Sequence, residues 1–188
     1  MNLGMAGRTA VVTGSTAGIG LAVATALATE GASVVVNGRT PARVAAAIEQ
    51  IRRAVKDARV RGVAADMGAA SGVEAFAHEV PETDVLVNNL GIFEAKPFAE
   101  IPDADWMRFF EVNVMSGVRL ARRYVPGMTA RKWGRVVFIS ERVGAADPRR
   151  DDSLRHDQDR AGGGRARPGR GIGGHRLRMA GSSIRDSP

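Results

Sequence analysis

Cysteine is absent from the 188 residues, which excludes a disulfide framework and any thiolate metal site and fits a reducing compartment. Nowhere do about 18 uncharged apolar residues occur together, so no segment is expected to span a membrane. The opening stretch, MNLGMAGRTAVVTG, has no basic region followed by a long apolar run. A cytoplasmic, non-exported protein is the expectation. Tyrosine occurs once, as Tyr124, and lysine only as Lys56, Lys96 and Lys132. The length suits one domain with a real core and is short for two.

The net charge of +7 would ordinarily raise nucleic acid or an anionic surface as a partner. Its placement is uneven. Residues 1–140 carry 16 Lys and Arg against 13 Asp and Glu, whereas residues 141–188 carry 11 Arg against 7 acids. The acids interspersed in that tail, and the lack of any aromatic residue after Phe138 to stack on bases, weigh against nucleic-acid binding. An Arg-rich nucleic-acid-binding tail on a nucleotide-binding module stays as the alternative from another class, beside a non-functional product.

Short β-branched runs at 9–13, 32–36, 60–65, 84–89 and 135–140 alternate with helical apolar spacing, such as Leu21, Ala24, Ala28 and Val44, Ile48, Ile51. Strand and helix repeated in this way predict an α/β fold, a doubly wound parallel sheet with helices on both faces. From Asp103 to Met128 the residues Trp106, Phe109, Phe110, Val114 and Val118 recur at helical spacing, which predicts a helix whose apolar face lies in the core. After Ser140 neither period continues, and Gly162, Gly163 and Gly164 stand together. Such a stretch cannot bury enough apolar area to offset its chain entropy. The expected organisation is a nucleotide-binding domain over 1–140 and a disordered, low-complexity tail over 141–188.

The stretch TGSTAGIG, residues 13–20, lies between the first strand and the first helix. Gly14, Gly18 and Gly20 there allow a tight turn and let a pyrophosphate approach the backbone amides and the positive end of the helix. In this motif and those that follow it in order, the sequence resembles the short-chain dehydrogenase/reductase family, whose cofactor motif is Thr-Gly-x3-Gly-x-Gly. The resemblance covers residues 8–140 and implies a Rossmann-like sheet, incomplete here on its C-terminal side. It implies cofactor contacts from Gly14, Ser15, Thr16, Gly18, Ile19 and Gly20. Asp66 and Met67, in AADM, fall where the family's acid contacts adenine. Asn88 to Gly91, NNLG, matches Asn-Asn-Ala-Gly, so that Asn89, Leu90 and Gly91 would line the cofactor, with Leu90 departing from alanine and crowding it slightly. Asn113, in VNVMSG, matches the helix asparagine that anchors a proton-relay water.

Cofactor choice follows from charge. An acid after the second strand binds the ribose 2′-hydroxyl, whereas an arginine accommodates a 2′-phosphate. VVVNGRT places Gly38 where the acid would fall, followed by Arg39. NADP(H) is therefore expected, with NAD(H) as the alternative. The family's reaction implies a small carbonyl or alcohol substrate; its homo-oligomeric habit is in doubt here, because the family's sixth and seventh strands have no counterpart in this sequence.

That family uses a tyrosine as general acid/base, a lysine four residues later that lowers its pKa, and a serine thirteen residues before it. Tyr124 precedes the fifth strand and is followed four residues later by Met128. No Tyr-x3-Lys pair exists in this chain. Read one base further on, however, the codons permitted for residues 146–161 allow Gln-Ile-Pro-Ala-Glu-Met-Ile-His-Tyr-Gly-Met-Thr-Lys-Thr-Ala. The tyrosine codon would straddle Leu154 and Arg155, the lysine codon Gln158 and Asp159, and a serine codon Glu141 and Arg142. The expectation is a change of reading frame after Ser140 and a chain without catalytic activity.

Overall fold

The computed structural model describes residues 4–140. Five strands, β1 (Thr9–Val12), β2 (Ser33–Gly38), β3 (Val60–Ala64), β4 (Val85–Asn88) and β5 (Arg135–Phe138), form one sheet in the order β3-β2-β1-β4-β5. Every neighbouring pair is parallel. The crossovers carry α1 (Gly18–Thr29), α2 (Pro41–Ala54), α3 (Ala70–Glu79), α4 (Asp103–Phe110) and α5 (Ser116–Ala130). This is the predicted Rossmann-like arrangement, with strand order reversing between β1 and β4.

The period of two in the strands divides the core cleanly. Ala10, Val12, Val34, Val36, Val85 and Val87 pack with Leu21, Ala24 and Ala28 of α1 and with Val44, Ala47 and Ile51 of α2. The intervening Val11, Val35 and Leu86 face the other way, onto Val73 and Phe76 of α3 and Leu120, Tyr124 and Met128 of α5. Over β1, β2 and β4 both faces of the sheet are thus covered, which is why these strands read as continuous apolar runs. Local signals set helix starts: the Thr40 hydroxyl accepts from the Arg43 N–H, and Pro41 stands in the first turn of α2.

The long helical segment departs from the sequence expectation. Between α4 and α5 the chain makes a π-helical turn, Glu111–Met115, in which the Ser116 N–H donates to the Glu111 carbonyl five residues back. The α4 face does not enter the core. Trp106 is 51% exposed, Met107 67% and Phe110 51%. Burial starts after the turn, at Ser116, Gly117, Leu120, Tyr124 and Met128. Spacing identified an amphipathic helix, but spacing carries no information on whether anything covers it. The expected tail, 141–188, and its frame change lie outside the described residues.

Candidate functional site

The candidate site gathers at the carboxyl ends of β1, β2 and β4, beside the reversal of strand order where open α/β sheets form their ligand crevice. Gly14 and Gly18 adopt φ of +59° and +56°, a region closed to most side chains. Gly20 has a different reason to be glycine: a Cβ there would lie 2.5 Å from the Gly14 carbonyl oxygen and collide with Asn89 Nδ2. The first hydrogen bond of α1 is donated by Leu21 to Ala17, at 3.3 Å, and no side chain caps the helix. The amides of Gly18, Ile19 and Gly20 precede that bond, at the positive end of the helix, where an anionic group is favoured. The Ile19 side chain stands half-exposed beside them.

Buried hydrogen bonds fix this turn. Thr13 Oγ1 accepts from the backbone N–H groups of Asn89 and Leu90, each at 3.0 Å. Asn89 Nδ2 donates to the carbonyls of Thr13 and Gly14, also at 3.0 Å. On the other side, Asn37 Oδ1 accepts from the Gly14 N–H, and Asn37 Nδ2 donates to the Val63 and Ala65 carbonyls. The Ser15 hydroxyl donates to Val12 O at 2.7 Å and accepts from the Asn37 N–H at 2.9 Å. Ser15 and Asn89 therefore shape the turn with their side chains. The Leu90 side chain is half-buried, packed on the α3 and α5 side of the core and 3.5 Å from the Cβ position of Gly14.

Thr16 and Arg39 lie at the rim toward β2. Arg39 is exposed and has no ion-pair or hydrogen-bond partner among the described residues. Asp66 is exposed after β3, its Oδ1 accepting from the Gly68 N–H at 3.0 Å, a turn-forming contact that leaves its other oxygen to solvent. Met67 behaves otherwise: its side chain is 1% exposed, inside the core between the sheet, α3 and α5.

On the far side of the crevice, Asn113 sits on the π turn and grips the loop after β4. Its Oδ1 accepts from the Ile92 N–H at 2.7 Å and its Nδ2 donates to the Ile92 carbonyl at 3.0 Å. Gly91 lies against it, its Cβ position 3.6 Å from Asn113 Oδ1. Beyond, Lys96 bridges Asp105 at 2.6 Å and Glu94 at 2.8 Å, and Arg108 reaches Glu94 at 2.7 Å. These hydrogen bonds hold the Lys96 ammonium above its usual pKa and the Glu94 and Asp105 carboxyls below theirs. The ion pairs flank an apolar hollow of about 270 Å³ walled by Phe93, Ile101, Trp106 and Phe109. Tyr124 belongs elsewhere. Its hydroxyl donates to the Val80 carbonyl at 2.7 Å within the core, and burial pushes its pKa up to about 12.

For three residues the structure adds a role that the sequence does not show. Asn37 is a polar residue at the end of an apolar strand, and that interruption was its only signal. Thr13 was read as part of a motif without a task for its hydroxyl. Asn88, 7% exposed, leaves both side-chain amide atoms without a hydrogen-bond partner among the described residues, packed against Gly117.

The family described as short chain dehydrogenase matches residues 8–149. The uncharacterized oxidoreductase YvaG of Bacillus subtilis strain 168 is 49% identical over 140 residues, which make up 74% of this chain and 53% of that protein. D-beta-hydroxybutyrate dehydrogenase of Cupriavidus necator is 37% identical over 142 residues, 73% of this chain and 54% of that protein. L-sorbose reductase from Gluconobacter frateurii, solved in complex with NADPH and L-sorbose, superimposes with a TM-score of 0.69 at 39% identity, covering 73% of this chain and 54% of that one. A metagenomic short-chain oxidoreductase in complex with NADP gives a TM-score of 0.68 at 33% identity, over 74% of this chain and 64% of that one. The chain thus spans about half the length of the curated relatives it matches.

Proposed function

Because the chain belongs to the short-chain dehydrogenase family, we propose that residues 1–140 are the NADP(H)-binding part of an oxidoreductase moving hydride between a nicotinamide and a small carbonyl or alcohol. The 188-residue chain itself is catalytically silent. One observation carries the cofactor reading: the Gly-rich turn and open start of α1 share a rim with an unpaired Arg39, while Gly38 occupies the place of a ribose-binding acid. The turn suits the pyrophosphate, and Arg39 suits a 2′-phosphate. Asp66, exposed on the same side of the sheet, suits the adenine. Two aligned structures were solved with NADPH or NADP, which supports the same choice.

When bound, the nicotinamide supplies the hydride. What this chain contributes is position: Asn113 holds the backbone of Ile92 and with it one wall of the substrate side. It contributes no acid. Tyr124 has its proton committed to Val80 inside the core, and Met128 stands where a lysine would have to activate it. The missing pair is attributed to a change of reading frame after Ser140.

Calorimetry with NADPH and NADH tests the cofactor assignment. NADPH binds more tightly, and Arg39→Ala removes most of that preference, about tenfold or more for a charged hydrogen bond. Equal affinities in the unaltered chain would contradict it. Resequencing the coding DNA across codons 138–160 tests the frame. Tyrosine and lysine codons at the junctions named above are expected; Phe, Ser or Cys at the first, or Arg at the second, would sink the idea.

A further inference from the structure

Gly38 closes β2 and is buried. Unlike Gly14 and Gly18, it has no positive φ, so its backbone alone would accept any residue. Space excludes one. A Cβ on Gly38 would fall inside the van der Waals envelope of the Thr16 methyl, whereas the next atoms, Thr16 Oγ1 and Val44 Cγ2, lie at an ordinary 3.4 Å. Thr16 is branched at Cβ and has few ways to turn aside. Its loop cannot withdraw as a unit either, because Gly14 and Ser15 on one side of it are bonded to Asn37, the residue immediately before Gly38.

We propose that Thr16 is a specificity-determining residue at the ribose end of the candidate site: its methyl fills the space that a carboxylate-bearing side chain at position 38 would need. Selection at the ribose 2′-oxygen therefore falls to the cation of Arg39. The inference rests on the dinucleotide reading and deepens it, since absence of the acid is enforced by a neighbour and not by the backbone. A charge swap at position 38 then depends on what occupies position 16.

The test uses the 188-residue chain with Gly38→Asp, Thr16→Ala and the pair, titrated calorimetrically with NADPH and NADH. Gly38→Asp alone weakens both nucleotides, because the new side chain displaces Thr16 and the turn it belongs to. Thr16→Ala/Gly38→Asp reverses the preference toward NADH by roughly tenfold or more. Reversal by Gly38→Asp alone, as complete as by the pair, would overturn the proposal. A second cycle needs no nucleotide. Gly38→Ala lowers the thermal midpoint by roughly 4 °C or more, and adding Thr16→Ala recovers at least half of the loss. If the unaltered chain binds neither nucleotide, the dinucleotide reading falls and the proposal with it. Nucleotide binding combined with strictly additive midpoints overturns the proposal alone.

Discussion

On the β2 side of the strand-order reversal, polar side chains end on partners: Thr13, Ser15 and Asn37 are buried and fully engaged with the backbone of the turn. On the β5 side, the loop after β4 and α4 expose Phe93, Phe98, Trp106, Met107 and Phe110, and β5 and the residue after it expose Val137, Phe138 and Ile139. Strand β4 is buried throughout, whereas its neighbour β5 is largely exposed and pairs only with β4 among the described residues. The first side is a finished piece of structure whose shape is dictated from within. The second presents an apolar surface that the described residues leave largely exposed. On the proposed reading, a dinucleotide would rest mainly on the first side, and positioning and protonating a substrate would need the second.

The widest gap between the two sides should appear in turnover. The purified 188-residue chain shows no NADPH-dependent carbonyl reduction above background, while a one-base shift after codon 140 restores it. A positioned acid/base group alone contributes roughly 10²–10⁴-fold. Substantial turnover by the unaltered chain, free of host reductases, would erase the contrast.

Stability should divide the same way. Thr13→Val keeps the shape but leaves the Asn89 and Leu90 amides facing a methyl, at a cost of about 1–3 kcal/mol for unsatisfied buried groups. Urea unfolding reads it. An unchanged midpoint would mean that water takes over both amides.

Next in size is an alkaline effect from the β5 side's one buried phenol. Tyr124 is raised from 10.0 to about 12, so the folded chain keeps this proton where the unfolded chain releases it. The contribution is intact below pH 10 and is lost as the pH rises toward 12. Tyr124→Phe should flatten that part of the stability profile. A slope that persists unchanged in the variant would assign it to another group.

Smallest is Trp106→Ser. Trp106 is half-exposed and meets Phe98 edge-on at 6.4 Å between ring centroids. Its loss should change stability by no more than about 0.5 kcal/mol while raising solubility. A loss several times larger would show that this face is covered in solution.

Strand positions and the turn glycines were legible because each follows from a local rule: short continuous β-branched runs for β1, β2 and β4, and φ for Gly14 and Gly18. What was not legible depends on partners far along the chain. The Thr13 hydroxyl acquires its task from Asn89 and Leu90, more than seventy residues away. Met67 looked like a crevice residue beside Asp66, yet its side chain turns into the core between α3 and α5. Tyr124 could be dismissed by spacing alone, and its bond to Val80 supplies the physical reason. Trp106 and Phe110 were misplaced because an apolar stripe looks the same whether it meets a core or water.

The π turn at Glu111–Met115 also sets a phase. One residue advances an α-helix by about 100°, so the extra residue in this turn offsets α4 from α5 by that amount without breaking the rod. Deleting a single residue there would wind the two into one regular helix. With Leu120, Tyr124 and Met128 locked in the core, the rotation would fall on α4 and carry Trp106 and Met107 to another bearing. Asn113 would swing off Ile92 with them. The helix is indexed like a key with one offset tooth: one end is timed to the sheet, the other to the loop that Asn113 holds.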